Sequence, residues 1–133
     1  MKKVILDTNI IVSALISPLG NPAKILSLFF NGEIQIYYND DIMAEYEDVL
    51  SRPALKINPE KVGRFIEILR ETGAFIKPIT SDIHMVDESD RIFYDTAQES
   101  DAIIITGNTR HYPTEDFILT PHQFLNNYFP CSH

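Results

Sequence analysis

The sequence is poor in the residues that would cross-link it or carry it into a membrane. Its only cysteine, Cys131, stands near the end of the 133 residues and closes no internal disulfide, which fits a reducing compartment. Paired with His133 on a chain end, it predicts no metal site. No apolar run approaches the roughly 20 residues of a membrane-spanning helix, and internal repeats and low-complexity tracts are absent. Met1-Lys2-Lys3 passes straight into a short apolar segment without a small-residue cleavage site, so the expectation is a soluble, cytoplasmic protein. Positive charge is scarce as well: 11 Lys and Arg stand against 19 Asp and Glu, a net charge of −8. That deficit argues against sequence-blind nucleic-acid binding through a basic surface. It leaves room for an enzyme acting on nucleic acid, because acids gathered around a divalent cation meet a phosphate through the cation's charge.

What is present predicts one α/β domain over residues 1–133, with helices on both faces of a central parallel sheet. Apolar residues make up 44% and charged residues 23%, ordinary values for a chain with a single core. Val4-Ile5-Leu6 is a continuous apolar run, the pattern of a strand buried on both faces. Helices are predicted over 8–16, capped by Thr8 or Asn9, and over 22–30, starting at Pro22 and stopped by Asn31-Gly32. A strand over 34–38 leads into a helix over 41–50, for which Asn39 and Asp40 offer caps. The stretch 59–72 is the clearest amphipathic helix, ended by Gly73, and a short strand over 74–77 follows. Next come a helix from about 90 to 100, a strand over 102–106, a Gly107-Asn108 loop, a strand over 117–119 and a last helix opened by a capping box at Thr120-Pro121-His122-Gln123. Strands alternating with helices imply right-handed crossovers and a parallel sheet.

The acids fall in unexpected places. Asp7 ends the first buried strand, at the edge where open parallel sheets bind ligands. Glu45 shares a helical face with Ile42, Tyr46 and Val49, inside the apolar stripe. Asp90 lies on the side that carries Phe93, Tyr94 and Ala97, whereas Asp95 points well away from it. Asp87 and Glu88 are explained by the preference of acids for a helix start. Thr106 and Asn108 supply oxygens at the end of another buried strand. Taken one at a time, a paired surface acid or an ordinary loop explains each of these. Gathered at one edge, such carboxylates repel one another unless a hard cation neutralises them.

The order and spacing of these pieces resemble the PIN domain family, and within it the VapC-like PIN ribonucleases that form the toxin component of bacterial toxin–antitoxin systems. The resemblance is carried by Val4-Ile5-Leu6-Asp7-Thr8-Asn9, by Glu45-Tyr46 with Val49-Leu50, and by Asp90-Arg91-Ile92-Phe93-Tyr94-Asp95-Thr96-Ala97. It continues through Ile105-Thr106-Gly107-Asn108 to Leu119-Thr120-Pro121 with Phe124-Leu125. It implies a metal-dependent endoribonuclease that hydrolyses RNA phosphodiester bonds, with Asp7, Glu45 and Asp90 as the catalytic acids holding Mg²⁺ or Mn²⁺. Where the family often has a fourth acid this chain has Asn108, a neutral oxygen ligand for the metal. Thr8, Asn9, Thr106 and, less strongly, Asp95 are then expected to orient the ligands or contact the phosphate, and Arg52, Arg91 and Arg110 to meet the RNA backbone. His84 and His122 read as surface or capping residues, with His111 kept open because it lies near the pocket. The implied partners are RNA, a small antitoxin protein and a second copy of the chain, with Tyr128 and Phe129 serving such a contact or closing the core.

Two other classes remain open on the residues alone. A phosphatase or phosphotransferase would use Asp7 as a covalent nucleophile, although Asn9 stands where a haloacid-dehalogenase-like enzyme wants a second Asp. A non-catalytic module would keep the fold and use the acids structurally or as a docking site for a basic segment.

Overall fold

The computed structural model describes residues 1–130, so Cys131 and His133 lie outside the described residues. The regular elements are β1 (Lys2–Leu6), α1 (Thr8–Ile16), α2 (Asn21–Phe30), β2 (Ile34–Tyr38), α3 (Asp40–Leu50), α4 (Pro59–Thr72), β3 (Ala74–Phe75), α5 (Arg91–Ser100), β4 (Ile103–Ile105), β5 (Ile118–Leu119) and α6 (Pro121–Tyr128). All strand pairs are parallel, in the order β3-β2-β1-β4-β5. The chain therefore starts in the middle of its sheet, builds outward to β3, then crosses back and builds the other side. The reversal falls between β1 and β4, whose register pairs Leu6 with Ile105. In a sheet of this kind the gap beyond those two strand ends is the natural crevice.

Val4, Ile5 and Leu6 are all buried. Neighbouring strand residues point to opposite faces, so both faces of β1 are covered by helices, as its unbroken apolar run requires. Phe65 and Leu69 of α4, Phe93 of α5 and Tyr46 of α3 complete the core around it. The sharp turn between α1 and α2, 96°, falls at Ser17-Pro18-Leu19-Gly20. Among the described residues no single helix is long and apolar enough to cross a membrane. Phe129 packs on the buried Phe124, and Tyr128 lies between Phe124 and the Lys2 ammonium, 4.0 Å above its ring. Both aromatics thus help to close the C-terminal helix onto the sheet.

Most boundaries follow the sequence pattern to within a residue or two. The exceptions have local causes. The cap of α1 is Asp7 and not Thr8 or Asn9: its carboxylate accepts the Asn9 N–H at 3.2 Å. Asp90 precedes α5, in a single 3₁₀ turn over Glu88–Asp90. β3 stops after Phe75, because beyond the Ile76 N–H bond to Tyr38 the chain runs into Pro78, which has no N–H to donate. The segment that follows carries no regular structure up to the 3₁₀ turn, yet α5 ties it down. Arg91 makes five hydrogen bonds, to Glu88, the Ser81 carbonyl and hydroxyl, and the Ile83 carbonyl.

Gly73 joins α4 to β3 in a space with no room for a side chain. A Cβ there would stand 2.5 Å from the Leu69 carbonyl oxygen and 3.1 Å from that of Ile36. Both contacts are backbone, so helix and sheet would have to separate. Gly73→Ala is expected to lower stability by about 1–3 kcal/mol, read as a fall in the urea midpoint. A midpoint equal to that of wild type would show that this junction yields freely.

Candidate functional site

Asp7, at the carboxyl end of β1, is only 8% exposed. Its backbone N–H continues the sheet by bonding Ile105 O at 3.0 Å, and its side chain caps α1. The other carboxylate oxygen, Oδ2, accepts the Thr106 hydroxyl at 2.9 Å and the Tyr112 hydroxyl at 3.2 Å. Thr106 stands at the end of β4 and also accepts the Asn108 N–H at 3.1 Å. The two strand ends that flank the crevice are thus joined through one carboxylate.

Glu45 approaches from α3, where the Thr8 hydroxyl donates to it at 3.2 Å. Thr8 and Asp7 are adjacent residues, so this bond ties the second acid to the first. The neighbouring Tyr46 is fully buried and donates its hydroxyl to the Leu6 carbonyl. Burial, with the charges of Asp7 and Glu45, pushes its ionisation well above the ordinary range. Tyr112 is raised likewise, by burial and then by Asp7 and Asp90. Both tyrosines are therefore fixed donors.

Asp90 comes from the start of α5, with a side chain 13% exposed. Its Oδ2 is buried without a hydrogen-bond partner. Burial, and then the nearby charges of Asp7, Asp87 and Glu45, raise its pKa to about 6, against a smaller lowering by His111. The structure therefore brings Asp7, Glu45 and Asp90 within electrostatic reach of one another. Such a pocket suits a hard divalent cation, which takes oxygen ligands and offsets their repulsion. The orphaned oxygen of Asp90 is the feature that fits a cation best, because no hydrogen bond in the protein satisfies it and His111 Nδ1 stands off at 3.7 Å.

The remaining sequence-predicted residues divide. Thr8 and Thr106 orient Glu45 and Asp7. Asn9 is exposed beside the pocket, with its N–H on Asp7. Asn108 is exposed, and its amide turns to His111, Nδ2 to Nε2 2.9 Å, and not into the acids. Arg110, next to His111, is exposed. Arg91 is engaged elsewhere, because three of the five bonds above commit its guanidinium to the 81–83 segment and two to Glu88. Arg52 pairs with Asp48 at 3.0 Å beyond the end of α3, about 10 Å of helix away from Glu45. Asp95 is 4% exposed and accepts the Ser81 N–H at 3.1 Å, so it faces away from Asp90, as its helical angle requires.

Sequence reasoning missed three participants. Tyr112 lies 105 residues from Asp7 in a stretch without apolar periodicity. Tyr46 stood in the same buried stripe as Glu45, which was a usable signal. Asp87 passed as a helix-start acid, yet it groups with Asp90 and His111, with one ligand atom from each lying within 4.8 Å of the others.

The sequence model of the PIN domain matches residues 3–110. An uncharacterized protein of Methanocaldococcus jannaschii is 37% identical over 109 residues, which are 80% of this chain and 70% of that protein. Among solved structures, the crystal structure of VapBC2 from Rickettsia felis, bound to a DNA fragment from their promoter, matches with a TM-score of 0.56. The match covers 88% of this chain and 96% of that chain at 19% identity, a likeness of fold.

The strain on Asp90 has a pH signature in metal-free protein. Its folded pKa, about 6, lies above the ordinary 3.8, so between these values the folded chain binds more protons than the unfolded chain. Stability from this group is present below that window and is lost as the pH rises through it. Asp90→Asn has no such dependence. In the presence of chelator it is expected to melt close to wild type near about pH 4 and above wild type near about pH 7. A melting difference that stays constant across the window would mean that Asp90 is not strained by its neighbours.

Proposed function

The chain belongs to the PIN domain family, and from that premise we propose that it is a metal-dependent endoribonuclease, acting as one nuclease domain over residues 1–133 and serving as the toxin component of a toxin–antitoxin pair. The observation that carries the reading is the convergence of Asp7, Glu45 and Asp90 beyond the ends of β1 and β4, with one buried carboxylate oxygen left unsatisfied. In this reading the three acids hold Mg²⁺ or Mn²⁺. When bound, the ion supplies an activated water and positive charge at the scissile phosphate.

The residues around the acids have definite tasks. Thr106 and Tyr112 hold Asp7 in one orientation, and Thr8 holds Glu45. Neither tyrosine ionises near neutrality, so both stay donors, and each stabilises what it touches: Tyr112 the Asp7 carboxylate, Tyr46 the end of β1. Asn9 and Arg110, both exposed beside the pocket, are the groups available to the RNA backbone, and Arg110 adds the charge that steers it. The two hydrogen bonds on Asp7 Oδ2 occupy lone pairs that a covalent nucleophile would use for attack, which disfavours a phosphatase. The VapBC2 structure holds a complex. By analogy a small antitoxin is the expected partner here, with the chain working in the cytoplasm and a homodimer as its own assembly.

The test is cleavage of a structured single-stranded RNA with and without Mn²⁺. Asp7→Asn, Glu45→Gln and Asp90→Asn are each expected to lower the rate by at least roughly 100-fold, the scale on which a direct contributor to transition-state stabilisation acts. Each variant should keep the wild-type circular dichroism spectrum. Wild-type protein that cleaves equally well in chelator, or not at all with any divalent ion, would overturn the reading.

A further inference from the structure

His111 stands on the 3₁₀ turn over Thr109–His111, just past β4, and its ring sits between two groups. On one side Nδ1 lies 3.7 Å from Asp90 Oδ2, the buried oxygen without a hydrogen-bond partner. On the other, Nε2 lies 2.9 Å from the Asn108 amide. Asp87 completes the group. Its Oδ1 accepts the Ser89 N–H at 3.0 Å and the Ser89 hydroxyl at 2.8 Å, which fixes the carboxylate beside Asp90. One ligand atom from each of Asp87, Asp90 and His111 falls within 4.8 Å of the others. Ligands facing each other across an ion at about 2.1 Å each are about 4.2 Å apart, so small side-chain rotations close the set.

We propose that the cation held at Asp90 takes His111 Nδ1 as a nitrogen ligand and Asp87 as a further carboxylate, so that this pocket selects Mn²⁺ and the borderline ions Co²⁺ and Zn²⁺ over Mg²⁺. The inference rests on the nuclease reading only in taking the acid pocket as a cation site. Mg²⁺ prefers oxygen ligands and gives up its waters reluctantly. Imidazole raises affinity for transition ions, and does so more strongly along the series from Mn²⁺ to Co²⁺. Asn108 then acts through the ring as a positioning residue. To ligate, Nδ1 must be unprotonated and the proton must sit on Nε2; the Asn108 amide, whose Nδ2 faces Nε2 at 2.9 Å, then turns over about its last side-chain bond so that Oδ1 accepts that proton. A partner of this kind on the far ring nitrogen is what fixes the tautomer and direction of a metal-bound histidine. It also explains why an amide at position 108 points away from the acids.

The experiment uses the full chain, stripped with chelator and titrated separately with Mn²⁺ and Mg²⁺. Binding is followed by calorimetry, and the Mn²⁺-loaded protein is read by electron spin echo modulation for coupling to a ligand nitrogen. Wild type is expected to show that coupling. His111→Ala, at a half-exposed position, should lose it, weaken Mn²⁺ by about 10–100-fold and change Mg²⁺ by less than about threefold. Asn108→Ala should keep the coupling with a smaller loss of Mn²⁺ affinity, and Asn108→Asp, whose carboxylate accepts the Nε2–H, should restore it. Mn²⁺ bound without nitrogen coupling, or an unchanged Mn²⁺-to-Mg²⁺ ratio in His111→Ala, overturns the inference and leaves the acid pocket standing. Wild-type protein that binds neither ion overturns the nuclease reading and the inference together.

Discussion

The hydrogen bond from the Thr106 hydroxyl to Asp7 is the contact on which the rest of the arrangement hangs. It spans the point where the order of the strands reverses, between the first strand of the chain and the fourth. Through its other oxygen the same carboxylate starts α1, whose partial positive end favours the negative charge. Thr8, the first residue of that helix, then carries Glu45. One acid therefore sets the end of a strand, the start of a helix and the position of a second acid, and the backbone around it has little freedom to drift.

The third acid is held differently. Asp7 and Glu45 have hydroxyl donors, whereas Asp90 reaches the same crevice from α5 with one oxygen unpaired. The pocket is ordered on one side and electrostatically unsatisfied on the other. Satisfying every oxygen with protein donors would have given a more stable chain with nothing left to bind. The anchoring of α5 through Arg91 and Asp95 to the Ser81 segment holds the Asp90 end of the helix in place against the repulsion it meets there.

Much of this was legible in the sequence, because burial leaves a periodic trace. An apolar run that ends on Asp7, and an acid inside the apolar stripe at Glu45, are violations of pattern that a linear reading detects. Boundaries slipped where one residue serves two elements, as Asp7 does. Contacts between distant segments left no such trace. Tyr112 reaches Asp7 only because β4 lies beside β1, and no local propensity encodes that adjacency. Free cations were overcounted for the same reason: Arg91 looks available in the chain and is fully engaged in the fold. Asn108 was placed correctly at the strand end, but its direction depends on a ring three residues on.

The two outermost strands, β3 and β5, are each only two residues long, and β3 runs straight towards Lys77 and Pro78. Strand edges offer unpaired amides on which other chains can template, and short edges guarded by a lysine and a proline remove most of that template. The sheet therefore terminates itself on both sides. Fibrous edge-to-edge growth is disfavoured by construction, because neither rim leaves another chain more than a two-residue ladder of backbone hydrogen bonds to extend.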